Sequence, residues 1–151
     1  PRAHRAPAYH RRVLHMKSSH PATGGHTTPC PCGSGLALGD CCGRWIDGPL
    51  RLGAPDALSL MRSRYTAYVL ERADYLLDTW HPSTRPSHLG FEPGLRWLGL
   101  QVREHRSTGP DTAEVGFVAR SKHGGRAHRL IELSRFRRES GHWVYVDGDC
   151  G

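Results

Sequence analysis

No run of eighteen apolar residues occurs anywhere in the 151-residue chain, which excludes a membrane-spanning helix of ordinary length. No apolar stretch near the start has the length of a signal-peptide core. The Arg11-Arg12 pair also lacks the apolar segment that follows it in a twin-arginine leader. There is no Gly-rich phosphate loop, no G-x-S-x-G elbow and no H-E-x-x-H pair, so the usual marks of nucleotide binding, serine hydrolysis and zinc proteolysis are missing. Lysine is scarce: two lysines stand against nineteen arginines, a bias that a GC-rich genome produces as readily as selection. These absences point to a cytoplasmic protein, in which cysteines stay reduced and clusters of them signal metal or catalysis.

Charge is present but unevenly placed. The net charge is +7, of which +5 falls in residues 1–20, where Arg2, Arg5, Arg11, Arg12 and Lys17 meet no acid. The remaining 131 residues are near neutral, with 16 basic and 14 acidic side chains. A neutral body with a basic tail is weak support for nucleic-acid binding. Met16 is the first methionine, and residues 1–15 lack any helical or strand period, so they read either as upstream sequence or as a disordered arm.

The chain divides into a polar tail (1–28), a cysteine-rich module (29–48), a short link ending at Pro55, and a main domain over 56–149. "DALSLMRSRYTAYVLERADYLLDTW" is free of Gly and Pro and follows Asp56 as N-cap, which predicts a helix. On it Leu58, Met61, Tyr65, Tyr68 and Val69 share one face. Residues 73–80 form a second helical segment, closed by His81-Pro82. Four strands follow, at 97–105, 112–121, 128–138 and 142–148, separated by short Gly-containing segments. Two helices and then four antiparallel strands predict an α+β fold, with the helices packed on one face of the sheet.

The cysteine module, "CPCGSGLALGDCCG", holds four of the five cysteines. Bridges between Cys30 and Cys32, or between adjacent Cys41 and Cys42, are strained. The spacing is also not the C-x-x-C of redox catalysts. Two close pairs joined by a glycine-rich loop suit a tetrahedral Cys₄ zinc site, structural because four protein ligands leave no open position. Gly33, Ser34, Gly35 and Gly39 supply turns and hydrogen bonds for the sulfurs, and Arg44 offsets their charge. Leu36, Leu38, Trp45 and Ile46 are too few to make a core, so the metal and docking on the main domain must hold the module together.

The same residues resemble the SEC-C motif, named for the zinc-binding tail of SecA. Downstream, "LMRSRYTAYVL", "YLLDTWHPSTRP" and "ELSRF" with "GHWVYVDG" resemble the bacterial YchJ family of small proteins. The resemblance spans about residues 29–149. It implies zinc at Cys30, Cys32, Cys41 and Cys42 and a nuclear-transport-factor-two-like roll, and it brings no established reaction. Longer family members carry a second cysteine motif after the "YVDG" stretch, where this chain has Cys150, read as a solvent-exposed thiol.

Rolls curve around a cavity, and several residues are candidates for its wall. Arg64 falls inside the apolar arc of the first helix, so it requires either an ion pair with an acid such as Glu132 or Asp78, or a pocket for its planar fork to face. Glu132 and Ser134 lie between Leu130 and Phe136 on one strand face, with Arg135 on the other. Trp143, Tyr145 and Asp147 share a face of the last strand. Tyr65, Trp80, His81, Trp143 and Tyr145 complete an aromatic wall, or else serve as ordinary core residues. His81 is the candidate acid or base, or a helix-end cap.

Three functions are consistent with this reading. The first is a zinc-stabilised adaptor or ligand-binding protein with a protein partner or a small molecule as its target, and it leads. The second is an isomerase- or dehydratase-type enzyme using the roll cavity. The third, nucleic-acid binding through the tail and arginine surface, has the least support.

Overall fold

The computed structural model describes residues 27–151, so the expectation for the polar tail lies, but for its last two residues, outside the described residues. A 3₁₀ turn at Leu38–Asp40 and helix α1 (Gly43–Ile46) belong to the cysteine module. Helices α2 (Ala57–Val69) and α3 (Ala73–Asp78) follow. Strands β1 (Arg96–Gly109), β2 (Thr112–His123), β3 (Arg126–Glu139) and β4 (His142–Cys150) complete the chain.

Helix α2 starts where its chemistry requires. The Asp56 carboxylate accepts the Ser59 N–H at 2.7 Å, which satisfies one of the helix's open donors. Past the C-cap Leu70, Glu71 at a φ of 56° turns the chain toward α3. The strands pair in the order β1-β2-β3-β4, all antiparallel. They run further than the hydrophobic pattern predicts. "KHGGRA" contributes only Gly124 and Gly125 to a turn, at φ of 58° and 78°, and the last hairpin closes through Ser140 and Gly141 at 53° and 80°. Positive φ at both central residues is the two-residue turn that matches strand twist, and it lets the ladder continue to its edge.

Bulges shape the sheet. Three interrupt the β1–β2 register, and one falls between β3 and β4, where Arg135 pairs with Asp147 but Phe136 pairs with Tyr145. The extra residue, Val146, reverses side-chain alternation. The expectation that Trp143, Tyr145 and Asp147 share a face is therefore corrected: Tyr145 faces inward with Phe136, while Asp147 faces outward and takes the Arg135 Nε–H at 2.7 Å.

The helices cover the inner face, where Leu60, Met61 and Tyr65 meet Val115, Ala119 and Phe136 in one core. Helix α2 is buried on more than the expected face. Ser63 and Thr66 are also fully covered, because α3 and the cysteine module pack on that side. The Ser63 hydroxyl pairs with Tyr75 Oη at 2.8 Å, so these polar groups enter the interior with partners. The four module cysteines and Ile46 lie in the same core as the roll.

Candidate functional site

Two constellations stand out. The first is the cysteine cluster. The Cys30, Cys32, Cys41 and Cys42 sulfurs all lie within 4.8 Å of one another, and all four residues are buried. Four metal–sulfur bonds of ~2.3 Å in a tetrahedron set sulfur–sulfur edges of about 3.8 Å. The Cys32 and Cys41 sulfurs are 3.6 Å apart. The loop reaches this geometry through Gly33 and Gly35, at φ of 81° and 90°, where a side chain would strain the backbone. Hydrogen bonds from Cys30 and Cys42 to Cys32 hold its thiol far below the ordinary range, while the bond with Cys30 drives Cys42 upward. Four buried sulfurs sharing protons this closely are a donor set that a soft divalent cation satisfies better than protons do.

The surroundings differ from the expectation in one respect. Arg44 does not reach a sulfur: its Nε donates to the Cys41 carbonyl, and its guanidinium stacks on Trp45 at 4.5 Å. Within the loop Ser34 contacts a sulfur instead, its Oγ 3.1 Å from Cys41 Sγ. Two residues of α2, not anticipated from the sequence, fasten the module to the roll. Arg62 Nη1 donates to the Cys32 carbonyl at 2.9 Å, and Thr66 Oγ1 lies 3.7 Å from Cys30 Sγ.

The second constellation is a cavity of about 580 Å³ between α2 and the concave sheet face. Of the eight residues singled out from the sequence, Arg64, Tyr65, Trp80, Glu132 and Tyr145 line it. The other three lie elsewhere. Arg135 is on the outer face, held by Asp147 and by Asp149 at 2.9 Å. His81 is locked outside the cavity, with Nδ1 2.8 Å from Ser83 Oγ and Nε2 2.8 Å from Glu139 Oε2. Trp143 stacks under the Arg138 guanidinium near the hairpin end. Tyr68, Phe91, Trp97 and Ser134 also line the cavity. Tyr68 and Ser134 were legible in the sequence, on the helix face and strand face already drawn. Phe91 arrives through a loop that no periodicity marks, and Trp97 opens the strand expected over 97–105 without having been singled out for the cavity.

Neither carboxylate considered for Arg64 pairs with it. Asp78 takes a hydrogen bond from Arg51 at 3.0 Å. Glu132 Oε2 accepts from the Ser134 hydroxyl at 2.7 Å and from the Tyr145 hydroxyl at 3.1 Å. Arg64 Nη1 instead donates to the Leu76 carbonyl at 2.8 Å and to Thr79 Oγ1 at 2.7 Å. Its guanidinium lies 4.9 Å from the Trp80 ring centroid and 4.7 Å from that of Tyr145. The two rings meet edge-on at 5.3 Å. Burial lowers the pKa of Arg64 from its ordinary value. Burial, and then the nearby Glu132 charge, push the Tyr145 hydroxyl well above its own.

Comparison with known proteins bears on both constellations. Residues 56–148 match the family model described as the YchJ middle NTF2-like domain, and residues 27–44 match the SEC-C motif. A UPF0225 protein of Methylibium petroleiphilum is 62% identical over 122 residues, spanning 80% of this chain and 88% of the relative. One from Polaromonas naphthalenivorans is 56% identical over 135 residues, spanning 82% and 98%. The solution structure of a SEC-C motif containing protein from Rhodopseudomonas palustris superposes with a TM-score of 0.69 at 32% identity, covering 82% of this chain and 99% of that one. A crystal structure of a SEC-C motif containing protein from Psychrobacter arcticus gives the same TM-score at 26% identity, covering 82% of each chain.

Proposed function

Because the chain belongs to the YchJ family of NTF2-like, SEC-C motif proteins, we propose that it is a small-molecule-binding protein whose roll cavity is the working site and whose cysteine module is a structural zinc site. The observation that carries the binding reading is the lining of the cavity. In a mostly apolar chamber, Arg64, Glu132, Ser134 and Tyr145 gather on the α2–β3–β4 side, and Glu71, Glu92 and Arg96 also contribute to the lining. That combination of an apolar body with few convergent polar groups is the make-up of ligand pockets.

The zinc reading rests on the donor set. Four thiolates with no oxygen or imidazole ligand suit Zn²⁺, and a closed four-ligand shell suits structure rather than hydrolysis. Zinc would be held by Cys30, Cys32, Cys41 and Cys42, and it would contribute folding energy to a module that has only Ile46 as a fully buried large apolar side chain.

The arrangement favours binding over proton-transfer catalysis. The imidazole of His81 is outside the chamber, and Glu132 is engaged by two hydroxyls that hold it as an acceptor. The test is a protein-observed NMR screen of a small-molecule library on the metal-loaded protein, with metal content measured on the same sample. Shifts confined to cavity residues, with one zinc per chain, are the expected result. A library without hits, or hits scattered over the surface, would overturn the binding reading; a protein purified without bound metal would overturn the zinc reading.

A further inference from the structure

Arg64 is the group in this molecule whose partners do not account for its charge. It is more than nine-tenths buried, yet among the described residues no carboxylate lies within ion-pair distance. Its Nη1 is fully used by Leu76 and Thr79, which fixes the plane of the guanidinium, while Nε and Nη2 have no protein acceptor among the described residues. Beside it, Trp80 Nε1 is buried with no acceptor among the described residues. This wall of the cavity therefore carries more donors than acceptors. A guanidinium edge that faces a cavity without a protein acceptor is left to water or to a ligand that supplies acceptor oxygens.

The acceptor that Arg64 lacks and the charge beside it narrow what that ligand is. Glu132 offsets Arg64 at longer range, and its carboxylate is already satisfied by Ser134 and Tyr145. A dianion would leave the chamber with excess negative charge, and a cation would face Arg64. A single carboxylate adds only one negative charge to the Arg64–Glu132 pair, half of what a dianion adds, and offers two acceptor oxygens to the open guanidinium edge. Glu71, Glu92 and Arg96 also line the cavity, but most of the remaining lining is apolar or aromatic, with Tyr65 edge-on to Trp97 at 5.9 Å and Tyr68 tilted against it at 6.2 Å, and the volume suits a body of ten to twenty heavy atoms by the usual scale of pockets, roughly 300–1,000 Å³.

We propose that the cavity binds an apolar organic monocarboxylate, with the carboxylate on the open edge of Arg64 and the body against the Tyr65–Tyr68–Trp97 wall. Planar guanidinium edges are matched to carboxylates by paired N–H donors. The adjoining Trp80 and Tyr145 rings against Arg64, with the Leu76 and Thr79 oxygens, hold the fork in place before the ligand arrives, which lowers the entropy lost on binding.

This inference rests on the cavity being a ligand site, and the experiment separates the two. Phenylacetate, indole-3-acetate and octanoate, their primary amides, and inorganic phosphate are titrated into the metal-loaded full chain by calorimetry and by protein-observed NMR. The expected result is at least tenfold tighter binding of an acid than of its amide, no binding of phosphate, and shifts at cavity residues. Arg64→Gln should lose at least tenfold for the acid and little for the amide. The acid–amide comparison uses the unaltered protein, so it stands if the variant fails to fold. Amides binding as tightly as acids would overturn the carboxylate inference and leave the cavity reading intact. No binding by any probe would overturn both. Acid binding unaffected by Arg64→Gln, or phosphate binding as well as the acids, would place the anion elsewhere and overturn the inference.

Discussion

The carboxylate of Glu132 occupies the space that a side chain at Gly148 would need. Gly148 pairs across the ladder with Ser134, and a Cβ built on it collides with the Glu132 carboxylate rather than with backbone. The glycine thus lets a charged group lie flat over β4, within reach of Ser134 and Tyr145. Gly148→Ala should swing Glu132 away, leaving two buried hydroxyls without their acceptor. The expected cost is about 1–3 kcal/mol. Chemical denaturation measures it. Tyr145→Phe, which removes one of the two bonds and keeps the ring, should cost less than Gly148→Ala, about 1 kcal/mol. Equal stability of Gly148→Ala and the unaltered chain would show that Glu132 is free to move.

Much of this arrangement was legible in the sequence, and the exceptions have a common cause. Period-two alternation put Glu132 and Ser134 on the inner face of β3 and Arg135 on the outer, where the ladder has them. Helical spacing put Arg64 inside an apolar arc, where it is buried. What alternation could not convey is a bulge: one additional residue at Val146 sends Asp147 to Arg135 instead of the cavity. Nor could composition show which polar partner Arg64 would take. The oxygens that hold it are the Leu76 carbonyl and the Thr79 hydroxyl, supplied by the C-terminal end of α3, and the carbonyl is a backbone atom that leaves no sequence signature. The cysteine spacing, by contrast, specified a four-sulfur cluster directly, because two close pairs and a glycine-rich loop have few other ways to close.

The shared core sharpens the expectation for metal removal. Cys30→Ser or Cys41→Ser should release the metal and expose the amides of residues 29–48 to hydrogen exchange. The sheet should keep its far-ultraviolet signal, since its four strands pair among themselves. Yet the cysteines and Ile46 belong to the same core cluster as Ala57 and Leu60, so the loss should also lower the melting temperature of the roll. Arg62→Ala, which frees the Cys32 carbonyl without touching a sulfur, should retain the metal and still raise exchange in the module. Collapse of the sheet signal upon chelation would mean that the roll cannot stand without the module.

Alkaline titration reads the cavity from another direction. Burial raises the hydroxyl pKa values of Tyr65, Tyr68, Tyr75 and Tyr145 above the ordinary 10, that of Tyr75 to about 12. Folding therefore favours the protonated form of each. Their contribution to stability is complete below pH 10, where folded and unfolded chains are both protonated. It is lost as pH rises through 10 toward the raised folded values, because only the unfolded chain releases its protons there. Tyrosinate absorbance should accordingly appear late and together with loss of the near-ultraviolet signal. Four phenols titrating freely near pH 10 in a folded chain would contradict their burial.

The placement of His81 makes the contrast between binding and catalysis measurable. Its ring is held by Ser83 and Glu139 and does not line the cavity, while its backbone N–H donates to the Tyr145 carbonyl at 2.8 Å. That backbone bond survives any substitution. His81→Gln should therefore leave ligand affinity within about twofold, and it should cost at most about 1 kcal/mol of stability, the scale of a partly exposed hydrogen bond. Arg135→Ala, on the outer face, should leave affinity equally unchanged. Glu132→Gln is different in kind, because it removes the charge that balances Arg64. An unpaired cation then draws an anionic ligand more strongly, so affinity for a carboxylate should rise while affinity for the matching amide stays level. Calorimetry on the three variants separates these outcomes. A large loss with His81→Gln would return the imidazole to the working site and favour the proton-transfer function over binding alone.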